Sequence, residues 1–176
     1  VSRLHLVALK GLIGIIRRFI EMDIFSIDEK SIRDIDVSVL METLTCATGA
    51  LMNAALIGEN FRDEIIKLKG IDCFVHIVGR YELSDRLSKY ACGALWNLCL
   101  NSRYCRHTIG KYIKYLVARL QSFWSNETSN ASSYLIATVS SCAGIIAACC
   151  SENYHENQVE IIEAGGIETL LLVISK

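Results

Sequence analysis

The sequence predicts an all-α chain assembled from repeated helical units, and three observations carry that reading. The first is that 176 residues contain no proline, where average usage of about 5% would supply roughly nine. Helices are therefore expected to run, stop and restart without proline punctuation. The second is composition: 52% hydrophobic and 21% charged residues suit a buried core at this length and exclude a disordered chain. The lack of proline alongside 11 glycines also argues against a β-sandwich rich in Pro/Gly turns. The third is that two apolar patterns recur and interleave along the chain, at spacings typical of helical solenoids.

The first pattern is a small or turn residue followed by apolar positions at i, i+3, i+4 and i+7, which lie on one helical face. It covers 11–19, 70–78, 112–120 and 166–174. Its first apolar residues, Leu12, Ile71, Ile113 and Ile167, are separated by 59, 42 and 54 residues. Each copy reads as a short amphipathic helix. The second pattern closes longer helices. It reads Cys46-Ala47-Thr48-Gly49-Ala50-Leu51-Met52-Asn53-Ala54, then Tyr90-Ala91-Cys92-Gly93-Ala94-Leu95-Trp96-Asn97-Leu98. A weaker copy is Ser141-Cys142-Ala143-Gly144-Ile145-Ile146-Ala147-Ala148-Cys149, and the aligned glycines lie 44 and 51 residues apart.

A third, short element starts at Asn60, Tyr104 and Asn157, between each long helix and the next glycine-led one. The unit is thus short, medium, long. The chain is expected to open in a short helix near Arg3–Lys10 and to hold three complete units plus two helices of a fourth. That gives one domain over 1–176, with approximate units 1–57, 58–100, 101–150 and 151–176 and an insertion at 21–35.

At these residues the chain resembles the armadillo repeat. The resemblance rests on Ala91-Cys92-Gly93-Ala94-Leu95-Trp96-Asn97-Leu98, on the 103–109 element after it, and on Glu163-Ala164-Gly165-Gly166-Ile167-Glu168-Thr169-Leu170-Leu171. It covers nearly the whole chain. The resemblance implies a right-handed α-solenoid whose long helices line a concave groove, and a non-enzymatic protein-binding scaffold. Importin-α repeats place a Trp four residues before the Asn; here those slots are Gly49, Gly93 and Gly144. The chain is more similar to repeats of β-catenin and the adenomatous polyposis coli protein, as found in signalling and adhesion. Three departures stand out: Ala148 in the third Asn slot, the insertion, and Lys111-Tyr112 in place of Gly-Gly. The family's frequent proline slots hold Ile13, Asp72, Lys114 and Glu168 instead. The turns are then expected to rest on Gly11, Gly70 and Gly166, with 111–112 the least regular.

The candidate binding residues follow from the groove. Asn53 and Asn97 carry amides that can bond the main chain of an extended peptide. Gly49 and Gly93, four residues earlier on the same face, would let it approach closely. Further back on that face lie Tyr90, Lys89 and Arg86, with Glu42, Thr45 and Cys46 in the first unit and Ala137, Ser140 and Ser141 in the third. A possible basic patch follows, comprising Arg103, Arg106, Lys111, Lys114 and Arg119. The last segment reverses sign with Glu152, Glu156, Glu160, Glu163 and Glu168. Plainer readings stand beside these. Both asparagines could bridge neighbouring units, Trp96 could be core between units, Tyr90 suits core or groove, and the basic run could be a solvated face. The expected partner is an extended acidic protein segment. A purely structural stacking segment and an importin-like carrier are the alternatives.

Other classes find little support. A net charge of −1 supplies no global field for nucleic acid, and no aromatic stacking platform is evident. There is no Gly-rich phosphate loop, HExxH or nucleophile elbow, and the four histidines are scattered, so no enzyme is expected. The eight cysteines form no CxxC pair; Cys99, Cys105 and His107 come nearest to a metal pattern and lack a second cluster. No metal or cofactor is expected. Buried free thiols point to a reducing compartment, the cytoplasm and then the nucleus, which leaves the sequons at Asn126 and Asn130 unused. Thr128 to Ser151 is uncharged but rich in Ser, Thr, Ala, Cys and Gly, poor material for membrane insertion.

The chain opens at Val1 without a signal-peptide pattern and ends inside a unit, as a piece of a longer protein would. Apolar surface is then expected at its ends. Self-association rising with concentration is the expected outcome, and sedimentation velocity over a concentration series checks it.

Overall fold

Helix lengths alternate along the chain as the apolar spacing requires. The computed structural model describes residues 2–22, 36–81, 85–100, 102–124, 133–151 and 155–175, without the side chains of 122–124. The described residues form ten α-helices and no strand. They are α1 (Arg3–Met22), α2 (Val37–Ile57), α3 (Glu59–Lys67), α4 (Gly70–Arg80) and α5 (Arg86–Cys99). After these come α6 (Arg103–Gly110), α7 (Ile113–Trp124), α8 (Ser133–Cys149), α9 (His155–Glu163) and α10 (Gly166–Ile174). Most of the expected insertion, from residue 23 on, lies outside the described residues, as do Glu152, Lys176 and both sequons.

Local chemistry explains where the helices start. Asp36 caps α2, its Oδ1 accepting from Ser38 N at 2.9 Å and Val39 N at 3.4 Å. Hydrogen bonds from Ser38 and Val39 hold its carboxyl below the usual carboxylate range. Ser102 Oγ does the same for α6, accepting from Cys105 N at 3.2 Å. Such caps satisfy amides that a helix leaves unpaired at its start.

The turns from short to medium helices differ from the expected glycine rule. The left-handed residues are Lys69 (φ 58°) and Gly165 (φ 70°), each one position earlier. Gly70 and Gly166 are instead the first helical residues, where the preceding helix folds back onto them. A Cβ on Gly70 would lie 3.0 Å from Ile65 O, and one on Gly166 would lie 2.9 Å from Ile161 O. At 111–112 no residue has positive φ. Lys111 stays helical at φ −60°, ψ −19°, and Tyr112 N donates to Ile109 O at 2.9 Å. The Tyr112 hydroxyl then donates to Asp72 Oδ1 at 2.8 Å, tying this turn to α4.

The first unit corrects the expectation outright. No turn forms at Gly11; the anticipated short and medium helices are one 20-residue helix. Gly11 and Gly14 have nothing within 4 Å of a would-be Cβ, so no neighbour folds back there, and no left-handed residue precedes Gly11. With neither cause of a break, the helix runs through.

Packing follows the alternation. Long helix α2 lies on α5, and α5 on α8; α1, α4 and α7 each pack against the long helix of their own unit. The spacing of 70–78 is realised in α4, where Ile71, Cys73, Phe74, Val75, Ile77 and Val78 are buried. Helix α8 buries one face that includes hydroxyls because these bond their own helix: Thr138 Oγ1 donates to Tyr134 O at 2.7 Å. Thr48 does likewise to Leu44 O at 2.8 Å in α2. Among the described residues, helix α2 is long and apolar enough to cross a membrane by length and composition. Here it packs against α1, α3 and α5.

Two adjacent substitutions separate close approach from left-handed strain. Gly70→Ala is expected to destabilise by about 1–3 kcal/mol, because its Cβ overpacks Ile65. Lys69→Gly is expected to be neutral or stabilising by up to about 1 kcal/mol, since glycine carries no left-handed penalty. Urea unfolding of both variants checks the contrast.

Candidate interaction face on the long helices

Helices α2 and α5 carry all seven candidate groove residues, and packing between the long helices uses many of them. Each of the three aligned glycines receives a side chain from an adjacent long helix. A Cβ on Gly49 would lie 3.0 Å from Cδ2 and Cε2 of Tyr90; one on Gly93 would lie 2.7 Å from Met52 Sδ. One on Gly144 would lie 2.7 Å from Trp96 Cε2. The space expected to admit a ligand at Gly49 and Gly93 is therefore filled by the chain itself.

Asn97 is corrected in the same sense. It is 8% exposed, and its Nδ2 donates to Met52 O at 3.1 Å, bridging α5 to α2. Buried amides keep such bonds because an unpaired one is costly. Arg86 is not free either, since it forms an ion pair with Glu42 of α2. That carboxylate raises the Arg86 pKa, and the partly exposed pair is worth little by itself. Tyr90 is half-buried between α5 and Gly49.

Two predicted residues keep unspent polar capacity. Asn53 is exposed and its amide makes no hydrogen bond among the described residues. Lys89 Nζ lies 5.9 Å from the Tyr90 ring centroid and 5.3 Å from that of Tyr134 on α8, within cation–π range. Trp96, expected as core between units, is seated on Gly144 yet 36% exposed. Tyr134 escaped the sequence reading because it precedes the recurring motif and only the packing of α8 on α5 brings it to Lys89.

The basic run does not form a patch. Arg106 is spent on helix ends: Nε donates to Cys99 O at 2.8 Å, Nη2 to Leu100 O at 3.0 Å and Nη1 to Ser151 Oγ at 3.1 Å. Arg119 donates to Val78 O at 3.2 Å and Tyr81 O at 2.9 Å, closing α4. Lys114 pairs with Glu160 at 2.8 Å and Glu163 at 3.0 Å, which raise its pKa. Part of the acidic reversal is thereby neutralised locally. Arg103 and Lys111 are exposed.

A recurring bond explains Arg106 better than a ligand does. Arg62 stands nine residues after Asn53, as Arg106 stands nine after Asn97. Arg62 Nη1 donates to Ala55 O at 3.0 Å. In both units the short helix sends a guanidinium back to the last carbonyls of the long helix, where a cation is favoured. The partial fourth unit substitutes amides: Asn157 Nδ2 to Cys149 O at 3.2 Å and Gln158 Nε2 to Cys150 O at 2.9 Å. The offset was visible in the sequence; its meaning required the carbonyls.

Five of the eight thiols are pushed toward the neutral form by their surroundings. Cys92 and Cys142 lie 3.5 Å apart and buried, and hydrogen bonding between them plus burial pushes the Cys92 thiol well up. Cys99 is raised by the same causes through Cys149. Burial raises Cys73, Cys105 and Cys150. Neutral thiols are poor nucleophiles. No group of three His, Cys, Asp or Glu side chains among the described residues is arranged to hold a metal. The chain matches no protein-family model, no curated protein and no solved structure.

Arg106→Ala is expected to cost about 2–3 kcal/mol, the range for charged hydrogen bonds to partly buried acceptors. Lys111→Ala is expected to stay within about 0.5 kcal/mol. Chemical denaturation of the two variants distinguishes a structural arginine from a solvated lysine.

Proposed function

We propose that the chain is a non-enzymatic protein-interaction module that binds an extended acidic segment along the exposed face of α2, α5 and α8. In this reading it is a right-handed armadillo-type α-solenoid of a two-helix first unit, two three-helix repeats and a partial fourth. The succession α2 on α5 on α8 supports that architecture, as do the repeated caps by Arg62 and Arg106.

The observation that carries the function is Lys89. Its ammonium sits between the Tyr90 and Tyr134 rings without a carboxylate partner among the described residues. Such a charge attracts an acidic chain from a distance. The two rings and exposed Trp96 add apolar area beside it. Asn53 offers a free amide to a peptide main chain. With Asn97 committed to Met52 O, side chains near Lys89 rather than an asparagine ladder carry recognition. Eight free thiols suit a reducing compartment, which favours the cytoplasm or nucleus.

A stacking segment with no ligand is the second reading. It is favoured by the engagement of Arg86, Asn97, Gly49 and Gly93 between α2 and α5. An importin-like carrier has less support, because the slots of its Trp ladder are glycines occupied by Tyr90, Met52 and Trp96.

Titration with a fluorescein-labelled Glu/Asp-rich peptide of about twelve residues tests the proposal by anisotropy. Saturable binding that weakens at higher salt is expected, with Lys89→Ala and Tyr134→Ala each losing about fivefold or more, equivalent to about 1 kcal/mol. Undiminished binding by Lys89→Glu would overturn the proposal, and tight binding of a Lys/Arg-rich peptide instead would favour the carrier.

A further inference from the structure

Two of the eight cysteines meet where α8 lies on α5. Cys92 of α5 and Cys142 of α8 are both fully buried, and their Sγ atoms are 3.5 Å apart. They stand 50 residues apart in the chain, so the pair exists only because the two long helices pack together.

The internal repeat shows that packing at this place does not call for sulfur. The aligned glycines are 44 and 51 residues apart, which puts Thr48 at the position of Cys92 and Ala91 at that of Cys142. Thr48 of α2 and Ala91 of α5 are likewise fully buried, and Thr48 satisfies its hydroxyl within its own helix. The same two positions are thus filled without a thiol at one long-helix contact and with two at the next. Cys99 and Cys149 stand seven residues further along the same helices. There Cys149 gives its thiol to Arg106 O at 3.6 Å instead.

We propose that Cys92 and Cys142 are a disulfide-forming site, oxidised by a peroxide to a staple between α5 and α8. A disulfide bond is about 2.05 Å long, so the sulfurs have about 1.5 Å to close, within reach of side-chain rotation and a small helix shift. Both thiols are shielded from solvent in the packed chain, so an oxidant gains access when α5 and α8 part locally. One thiol then loses its proton to water and its sulfur attacks hydrogen peroxide. An S–O bond forms, the O–O bond breaks, and the departing hydroxide takes up a proton to become water. When the helices close, the second sulfur attacks the sulfenic sulfur. The S–S bond forms, the S–O bond breaks, and the hydroxyl leaves as water with the second thiol's proton. Two thiols lose two electrons, and one peroxide becomes two waters. The staple joins the two helices that supply Lys89 and Tyr134, so the α5–α8 contact answers to the redox state of its surroundings.

The test reduces the full chain with a phosphine, removes the phosphine, adds hydrogen peroxide and blocks remaining thiols with iodoacetamide. Non-reducing peptide mass spectrometry is expected to find a Cys92–Cys142 link, formed faster in urea below the unfolding midpoint. The oxidised chain is expected to melt about 5 °C or more above the reduced one, and dithiothreitol to reverse the shift. Cys92→Thr and Cys142→Ala carry the residues that the aligned positions already bear. Both are expected to keep the fold by circular dichroism and to lose the link and the shift, whereas Cys99→Ala and Cys149→Ala keep them. A first internal link between any other pair, or oxidation that stops at sulfinic acid without a link, would overturn the site. So would a linked chain that melts no higher than the reduced one. None of these readouts depends on peptide binding at Lys89.

Discussion

Close approach of the long helices at Gly49, Gly93 and Gly144 governs the architecture. A glycine inside a helix costs roughly 1 kcal/mol relative to alanine, so three of them at aligned positions need a compensating gain. The gain is burial: Tyr90, Met52 and Trp96 each lay a large side chain where a Cβ would stand. Dispersion and apolar burial over such side chains exceed the backbone cost. Once that separation is set, the Asn97 amide is near enough to Met52 O to bond it, and Arg86 near enough to Glu42 to pair. The lateral contact is thus steric first and polar second.

The same contact divides the surface into spent and unspent groups. Residues pointing along the stack are consumed by it, whatever their chemistry; Arg86, Asn97 and Arg106 would all pass for ligand-binding side chains in isolation. Two candidate residues, Lys89 and Asn53, retain capacity among the described residues. Lys89 is left because the third unit offers Tyr134 and an uncharged α8 rather than a carboxylate. Asn53 is exposed and makes no hydrogen bond among the described residues.

Electrostatics is subordinate in this chain. Charged groups mostly stitch helix ends and turns: Arg62, Arg106 and Arg119 to carbonyls, Lys114 to Glu160 and Glu163. A run of basic residues in the sequence therefore becomes a set of caps rather than a field. Cys92 and Cys99 behave similarly, as apolar filling raised out of reactivity by their thiol partners and by burial.

Much of the fold was readable before any coordinates. Missing proline, the i, i+3, i+4, i+7 spacing and the recurring Gly-x-x-x-Asn foretold helices of alternating length, because periodicity records which face is buried. Gly11 misled because a glycine only permits a turn. At 70 and 166 the fold-back onto Ile65 and Ile161 demands one, and nothing demands it at 11. The site was less legible than the fold. Sequence named Lys89, Tyr90 and Asn53 through their place on a helix face, a local property. Whether an amide at Asn97 meets a peptide or Met52 O, and whether Arg106 meets a ligand or Cys99 O, depends on groups far away in the chain. Those distances exist only once the long helices have packed.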